Sequence, residues 1–189
     1  MEIRTSFDFR NKQGNVFSVK RVNTKDAWGI CDFVVSNETR LVKFFPVTRA
    51  ANLTPNLSNR FVELKARAFD NNEEFLYLLR REGFSRIIGM IYIKELDWDK
   101  RVGELAYAID YNYRGMGITT LLIQGIKKVA FEDLDLKTLQ IISYKSNISS
   151  IRVAEKNNFV WVKTLLKSFA PPGKKFLDME LYECHSDYK

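Results

Sequence analysis

Between Ala106 and Phe131 the sequence AYAIDYNYRGMGITTLLIQGIKKVAF changes its hydrophobic period once. The apolar run ending at Ile109 reads as a strand. From Ile118 the apolar residues recur at helical spacing, with Leu121, Leu122, Ile126, Val129 and Ala130 on one side and Gln124, Lys127 and Lys128 on the other. The short polar loop between them holds Gly115 and Gly117, two of only nine glycines in 189 residues. A helix that begins there presents N–H groups without intrahelical partners and the positive end of its dipole. Glycine removes the Cβ from the approach to that backbone. The segment can therefore cradle an anion such as a phosphate, with Arg114 adding charge, or the glycines can serve only as turn residues. Thr120 stands where a dinucleotide fingerprint needs its third glycine, and the Gly-Lys-Ser/Thr of a P-loop is missing, so neither of those phosphate sites is present.

The remaining pattern supplies a scaffold. Asn15–Val22 alternates as a strand, and Thr24 is placed to cap a helix whose Ala27, Trp28, Cys31, Val34 and Val35 share a face. Thr54 and Pro55 mark the start of a second helix carrying Leu57, Phe61, Leu64 and Ala68, while the stretch 40–52 between the two helices fits no single period. From Glu73 the chain reads as three sequential antiparallel strands, EEFLYLLRRE, RIIGMIYIKEL and VGELAYAID, turning at Gly83 and at DWDKR. LKTLQIIS is a short buried strand, and NISSIRVAEKNN a helix ending at Asn158, a residue type that tolerates the left-handed conformation. FVWVKTLLKSF and KKFLDMELYE close the chain as strands around the turn APPGK. The expected architecture is one α+β domain over residues 1–189 in the order β α α β β β α β α β β, with four helices.

With 46% hydrophobic residues, a chain of this length buries a core without a disulfide or metal staple. Cys31 and Cys184 make no ligand spacing and are expected as free thiols; with one histidine, His185, no metal site is expected. No apolar run spans a membrane and no signal peptide is recognisable, which points to a cytoplasmic protein. The net charge of +7 favours anionic partners, but the basic residues are scattered and no RNA-binding motif accompanies them, so nucleic acid is not expected as a partner.

The stretch from Ile87 to Phe159, with RGMGIT and NISSIRVAEKNNF at their separation, closely resembles the GNAT superfamily of acyl-CoA-dependent N-acetyltransferases, in particular its RimJ/RimL-like branch. The similarity spans about residues 15–183. It implies the GNAT fold, with a mixed, mostly antiparallel sheet of about seven strands, and acetyl-CoA as co-substrate. In the family's motif Q/R-x-x-G-x-G/A, Arg114 and Gly117 match and Thr119 replaces the usual Gly or Ala; read from Asn112, Gly115 and Gly117 match instead. By this resemblance the coenzyme pyrophosphate lies on the amides of Arg114, Gly115, Met116, Gly117, Ile118 and Thr119. Its pantetheine arm runs beside Ala108, Ile109 and Asp110, with Asn147 hydrogen-bonded to it and Ser150 near the sulfur. Many relatives carry a tyrosine acid seven residues after the asparagine. Ala154 stands there in this chain, and the resemblance moves the acid role to Ser150.

Acetylating an amine requires its neutral form, although an α-amine titrates near 7.7–8.0 and a lysine near 10.4, so a general base is useful. Glu104 is the candidate: a carboxylate within an apolar strand is costly unless paired or functional, and family members carry a catalytic glutamate at that position. The other reading has Glu104 facing solvent or pairing with Lys94 or Arg101 across the sheet. The implied activity is transfer of an acetyl group to a primary amine, a protein N-terminal α-amine or a small-molecule amine, by direct attack on the thioester. The protein would act as a monomer or homodimer. The competing reading is a catalytically silent acyl-CoA-binding or regulatory domain.

Overall fold

One hairpin and a helical layer open the chain in the computed structural model, which describes residues 2–171, 173 and 175–186. Among them are eight strands and six α-helices in a mixed, mostly antiparallel sheet. The expected fold class holds, with one more strand and two more helices than the sequence pattern suggested. The chain divides into two compact units, one of Thr5–Tyr92 with Tyr107–Met116, the other of Met1–Arg4, Ile93–Ala106 and Gly117–Lys189.

In the first unit β1 (Ser6–Arg10) pairs antiparallel with β2 (Val16–Arg21), which pairs antiparallel with β3 (Phe75–Arg81). Strand β1 lies in a polar stretch whose alternation is weak, and it was not expected. Next comes α1 (Ala27–Ser36), preceded by one 3₁₀ turn that Asn23 caps, not Thr24. Asn23 Oδ1 accepts from the Lys25 amide at 2.9 Å, and the Asn23 amide donates in turn to the Asp26 carboxylate at 2.8 Å. The aperiodic stretch resolves into α2 (Glu38–Phe44) and α3 (Pro46–Ala50), divided by Pro46, whose missing N–H suits a first turn. Helix α4 (Pro55–Asp70) starts as expected, with Thr54 accepting from the Leu57 amide.

The helix faces follow the expected ones in part: Ala27, Cys31 and Val34 of α1 and Phe61 of α4 are buried as expected, and the rest of each buried face is shifted. Ile30, Phe33 and Val34 of α1 are buried while Trp28 and Val35 are exposed; α4 buries Phe61, Val62 and Phe69 and exposes Leu57 and Leu64. Residues Phe75 to Leu79 of β3 are all buried, so both faces of that strand are covered. Phe69 of α4 meets Phe75 and Tyr77 edge-on, at ring separations of 4.9 and 5.4 Å.

Strands β4 (Ile87–Asp97) and β5 (Val102–Ile109) each contribute residues to both units. In the second unit β5 runs parallel to β6 (Thr138–Tyr144), a pairing that requires the crossover helix α5 (Ile118–Lys128), which continues as a π-helical turn over Val129–Asp133. After α6 (Ile148–Lys156), β7 (Val160–Phe169) and β8 (Leu177–His185) form an antiparallel hairpin, with β8 against β6. Of the expected APPGK turn, Pro172 and Lys174 lie outside the described residues.

Asn158 does end α6 in the left-handed conformation, at φ 64°, and the Phe159 amide closes the turn on the Ala154 carbonyl at 3.0 Å. Asn158→Val should therefore cost about 1–2 kcal/mol and Asn158→Gly should stay within about 1 kcal/mol of the parent in urea unfolding. Equal midpoints for the valine and glycine variants would contradict this.

Candidate active site

In the first unit the end of β5 is tied down by residues distant in sequence. The Asp110 amide donates to the Ile88 carbonyl at 2.8 Å, and the buried Asp110 carboxylate accepts from the Asn112 amide at 2.9 Å and pairs with Arg86 at 3.4 Å. Asp110 thus sets the turn after the strand, and its amide is already engaged. The Tyr111 amide donates to Asn37 Oδ1 at 3.2 Å, and Arg40 of α2 donates to the Ile109 carbonyl at 3.1 Å. Asn37, Arg40 and Arg86 had no sequence signal, since each is a single polar residue in or beside a helical or loop segment far from the glycines.

Close approach is also required from β4. A Cβ on Gly89 would lie 2.5 Å from Ile109 Cδ1 and 3.0 Å from the Ala108 carbonyl oxygen. The glycine lets β4 pass beneath Ala108 and Ile109, the two strand residues that the resemblance places beside the pantetheine arm. Gly89→Ala is expected to lower stability by about 1–3 kcal/mol, read from the urea midpoint, because a backbone carbonyl cannot rotate away.

The loop itself has both glycines at φ 74°, a conformation other residues adopt only with strain, and nothing within 4 Å of where a Cβ would stand on either. Gly117 caps α5, and the first bond into the helix runs from the Leu121 amide to the Gly117 carbonyl at 3.2 Å. Among the described residues, no amide from Gly115 to Thr120 donates to another protein group. Beside the loop, the Arg114 guanidinium lies 5.3 Å from the Tyr111 ring centre and that of Arg40 lies 5.9 Å from the same ring. Desolvation, then the neighbouring Arg114, holds Arg40 below its ordinary value. Free amides, open space over two glycines and a concentration of positive charge match the requirements of a phosphate-bearing ligand.

In the second unit Glu104 is half-buried on β5, and its Oε1 forms an ion pair with Lys94 at 3.0 Å. The alternative partner, Arg101, pairs with Asp135. In the parallel register Glu104 lies opposite Gln140, which donates to Glu183 at 2.8 Å. Asn147 precedes α6, with its amide on the Tyr144 carbonyl at 2.7 Å, and its side chain accepts from Ser149 at 3.1 Å. Ser150 is half-buried in the first turn, its amide donating to the Asn147 carbonyl at 2.9 Å. Ala154 is fully buried, so this helix face has no room for a tyrosine without repacking. Gly117, Ile118, Thr119, Glu104, Asn147 and Ser150 belong to this unit, whereas Ala108, Ile109, Asp110, Arg114, Gly115 and Met116 belong to the first.

The sequence profile described as an acetyltransferase (GNAT) domain matches residues 19–160. The "Putative ribosomal N-acetyltransferase YdaF" of Bacillus subtilis (strain 168) is 24% identical over 152 residues, covering 80% of this chain and 82% of that protein. The ribosomal-protein-S5-alanine acetyltransferase from Vibrio fischeri superimposes with a TM-score of 0.87 at 20% identity, over 98% of this chain and all of that one (100%). The ribosomal L7/L12 alpha-N-protein acetyltransferase RimL, solved in complex with coenzyme A, gives 0.84 at 14% identity, over 92% and 96% of the two chains. The microcin C7 self immunity acetyltransferase MccE, in complex with acetyl-CoA and AMP, gives 0.80 at 18% identity, over 89% and 92%. At these identities the likeness of the solved structures is one of fold.

Proposed function

From a chain that belongs to the acetyltransferase (GNAT) domain family and carries an open glycine cradle at a helix start, we propose an acetyl-CoA-dependent N-acetyltransferase acting on a primary amine. The acceptor class is a protein N-terminal α-amine, as the names of the ribosomal-protein acetyltransferases resembling this chain suggest, with a small-molecule amine as the other class. The observation that carries the reading is the Gly115–Gly117 loop, with left-handed glycines and amides that no protein group accepts from. We take residues 1–189 as one cytoplasmic catalytic domain.

In this reading the amides from Arg114 to Thr119 hold the coenzyme phosphates, with Arg114 adding charge. Ala108 and Ile109 offer the strand edge for the pantetheine arm, Asp110 holds the turn that ends it, and Asn147 hydrogen-bonds the arm. The acceptor nitrogen attacks the thioester carbonyl; a C–N bond forms, the C–S bond breaks, and the sulfur leaves with the electron pair. Glu104 takes the proton that the amine loses, directly or through water. The Ser150 hydroxyl gives a proton to the leaving sulfur and regains one through water, which the Glu104 carboxyl in turn supplies, and the amide near Ala108 donates to the oxyanion. No metal takes part.

The Lys94–Glu104 ion pair and the buried Ala154 favour one second reading, a domain that binds acyl-CoA without turning it over. Thermal unfolding with acetyl-CoA, desulfo-CoA and NADH at one concentration and ionic strength tests the cradle first. A ligand at 100 times its Kd stabilises by about 2.7 kcal/mol, so both CoA species should raise Tm and NADH should not. No shift with any of them would remove the enzyme reading. A shift without thiol release on any amine would favour the silent domain.

A further inference from the structure

Lys94 on β4 holds its Nζ 3.0 Å from Glu104 Oε1 on β5, and both residues lie in the second unit. The two side chains are 29% and 16% exposed, and the other carboxylate near this ammonium, that of Glu95, is farther away at 4.0 Å. The backbone is strained at the same place. Glu95, next in sequence to the lysine, has φ 49°, a left-handed conformation for a residue with a Cβ inside a strand. Breaks of this kind re-aim the side chains beside them, and such strain is kept where a site requires it.

We propose that Lys94 is a self-acetylation site: its amine occupies the acceptor's place at Glu104 and takes one acetyl group from bound acetyl-CoA. This rests on the N-acetyltransferase reading given above. A general base must lie about 2.6–3.2 Å from the atom whose proton it removes, and the Lys94 nitrogen meets that condition in the structure itself. An incoming amine has to displace this ammonium from Glu104 or approach beside it. When no acceptor is present, the amine nearest the base is the chain's own.

The step balances as follows. Glu104 removes one proton from the ammonium and passes it to solvent, and the freed nitrogen attacks the thioester carbonyl. A C–N bond forms, the C–S bond breaks with its electron pair going to sulfur, and a second proton from the nitrogen ends on that sulfur. The product is an amide whose nitrogen lone pair is delocalised into the carbonyl, so no second acetyl group follows at this site. It carries no charge, and Glu104 is left without its counter-ion. Lys94 thus competes for the base while free and alters the base's surroundings once modified.

Two other lysines provide the comparison. Lys65 pairs with Glu74 at 2.8 Å, with side chains 26% and 19% exposed, nearly the burial of the Lys94 pair. Lys100 is 78% exposed and open to untemplated acylation from solution. If burial and pairing alone set the reaction, Lys65 would react like Lys94; if exposure set it, Lys100 would react first.

The test incubates the full chain with acetyl-CoA and no acceptor, locates acetyl groups by peptide mass, and follows thermal unfolding in the same samples. Lys94 should be acetylated about 100-fold or more faster than Lys65, the contribution of a positioned base, and ahead of Lys100. Free thiol should appear in step and stop at one per chain, and Lys94→Arg should release none. Glu104→Gln should slow the reaction at Lys94 by about 100-fold or more. Glu104→Asp, which keeps a carboxylate, should slow it less and decides the matter if the glutamine variant does not fold. An unmodified Lys94 in a chain that acetyl-CoA stabilises would overturn the proposal and leave the acetyltransferase reading standing. So would acetylation in order of exposure, or a Glu104→Gln rate at Lys94 equal to the parent's. A chain that acetyl-CoA does not stabilise would overturn both.

Discussion

Glu104→Gln is expected to lower turnover by about 10²–10⁴ near neutral pH while the Kd for acetyl-CoA stays within about threefold, the range for losing a general base. Glutamine keeps the shape and can still accept a hydrogen bond from Lys94, so the ion pair loses charge without leaving the ammonium empty-handed. Lys94→Met separates the two roles open to this carboxylate. If Glu104 serves only as a partner for Lys94, the two variants should lose similar stability and neither should change kcat. If it is the base, Glu104→Gln collapses turnover and Lys94→Met does so by less than about tenfold. Turnover of the glutamine variant equal to the parent from about pH 6 to about pH 9, across the titration of an α-amine, would end the base assignment.

Gly117→Ala should raise the Kd for acetyl-CoA by about 100-fold or more, consistent with losing several charge-assisted amide contacts at once. Its folding cost should be only about 1–2 kcal/mol, that of a side chain held at a left-handed position. The separation follows from the open space around the loop: no protein atom lies within 4 Å of the added Cβ, so the methyl group disturbs what approaches from outside. Gly83→Ala is the matched control, with φ 79° and the same open surroundings but a place in the β3–β4 turn. It should lose comparable stability and no affinity. Loss of affinity in both, or in neither, would show that the Gly115–Gly117 loop is only a turn.

Much of the fold was legible because local chemistry marked it. Thr54 with Pro55 announced α4, Asn158 announced the end of α6, and the change of period across Gly115 and Gly117 announced a strand followed by α5. The misreadings share a cause. Trp28, Val35, Leu57 and Leu64 fit a helical stripe as well as the residues that are buried, since two overlapping stripes compete on α1 and α4 and only neighbouring elements choose between them. Asn23 took the cap from Thr24 because Asp26 completes a reciprocal pair with it. At the candidate site, Glu104 was flagged by its type in an apolar strand, but its pairing with Lys94 and not Arg101 depended on which side chains the sheet brought within reach.

The sequence by itself determined where the proposed anion cradle lies, because glycines at a strand-to-helix junction and the amides behind them are properties of consecutive residues. It also determined the order of most elements, through caps, turns and periods that act over a few positions. Only the tertiary structure decided that Asn37, Arg40 and Arg86 hold the end of β5, that Gly89 must lack a side chain beneath it, and that β7 keeps its apolar residues in water. Those facts depend on contacts between residues up to 74 positions apart, such as Tyr111 with Asn37, and no local preference carries information over that distance.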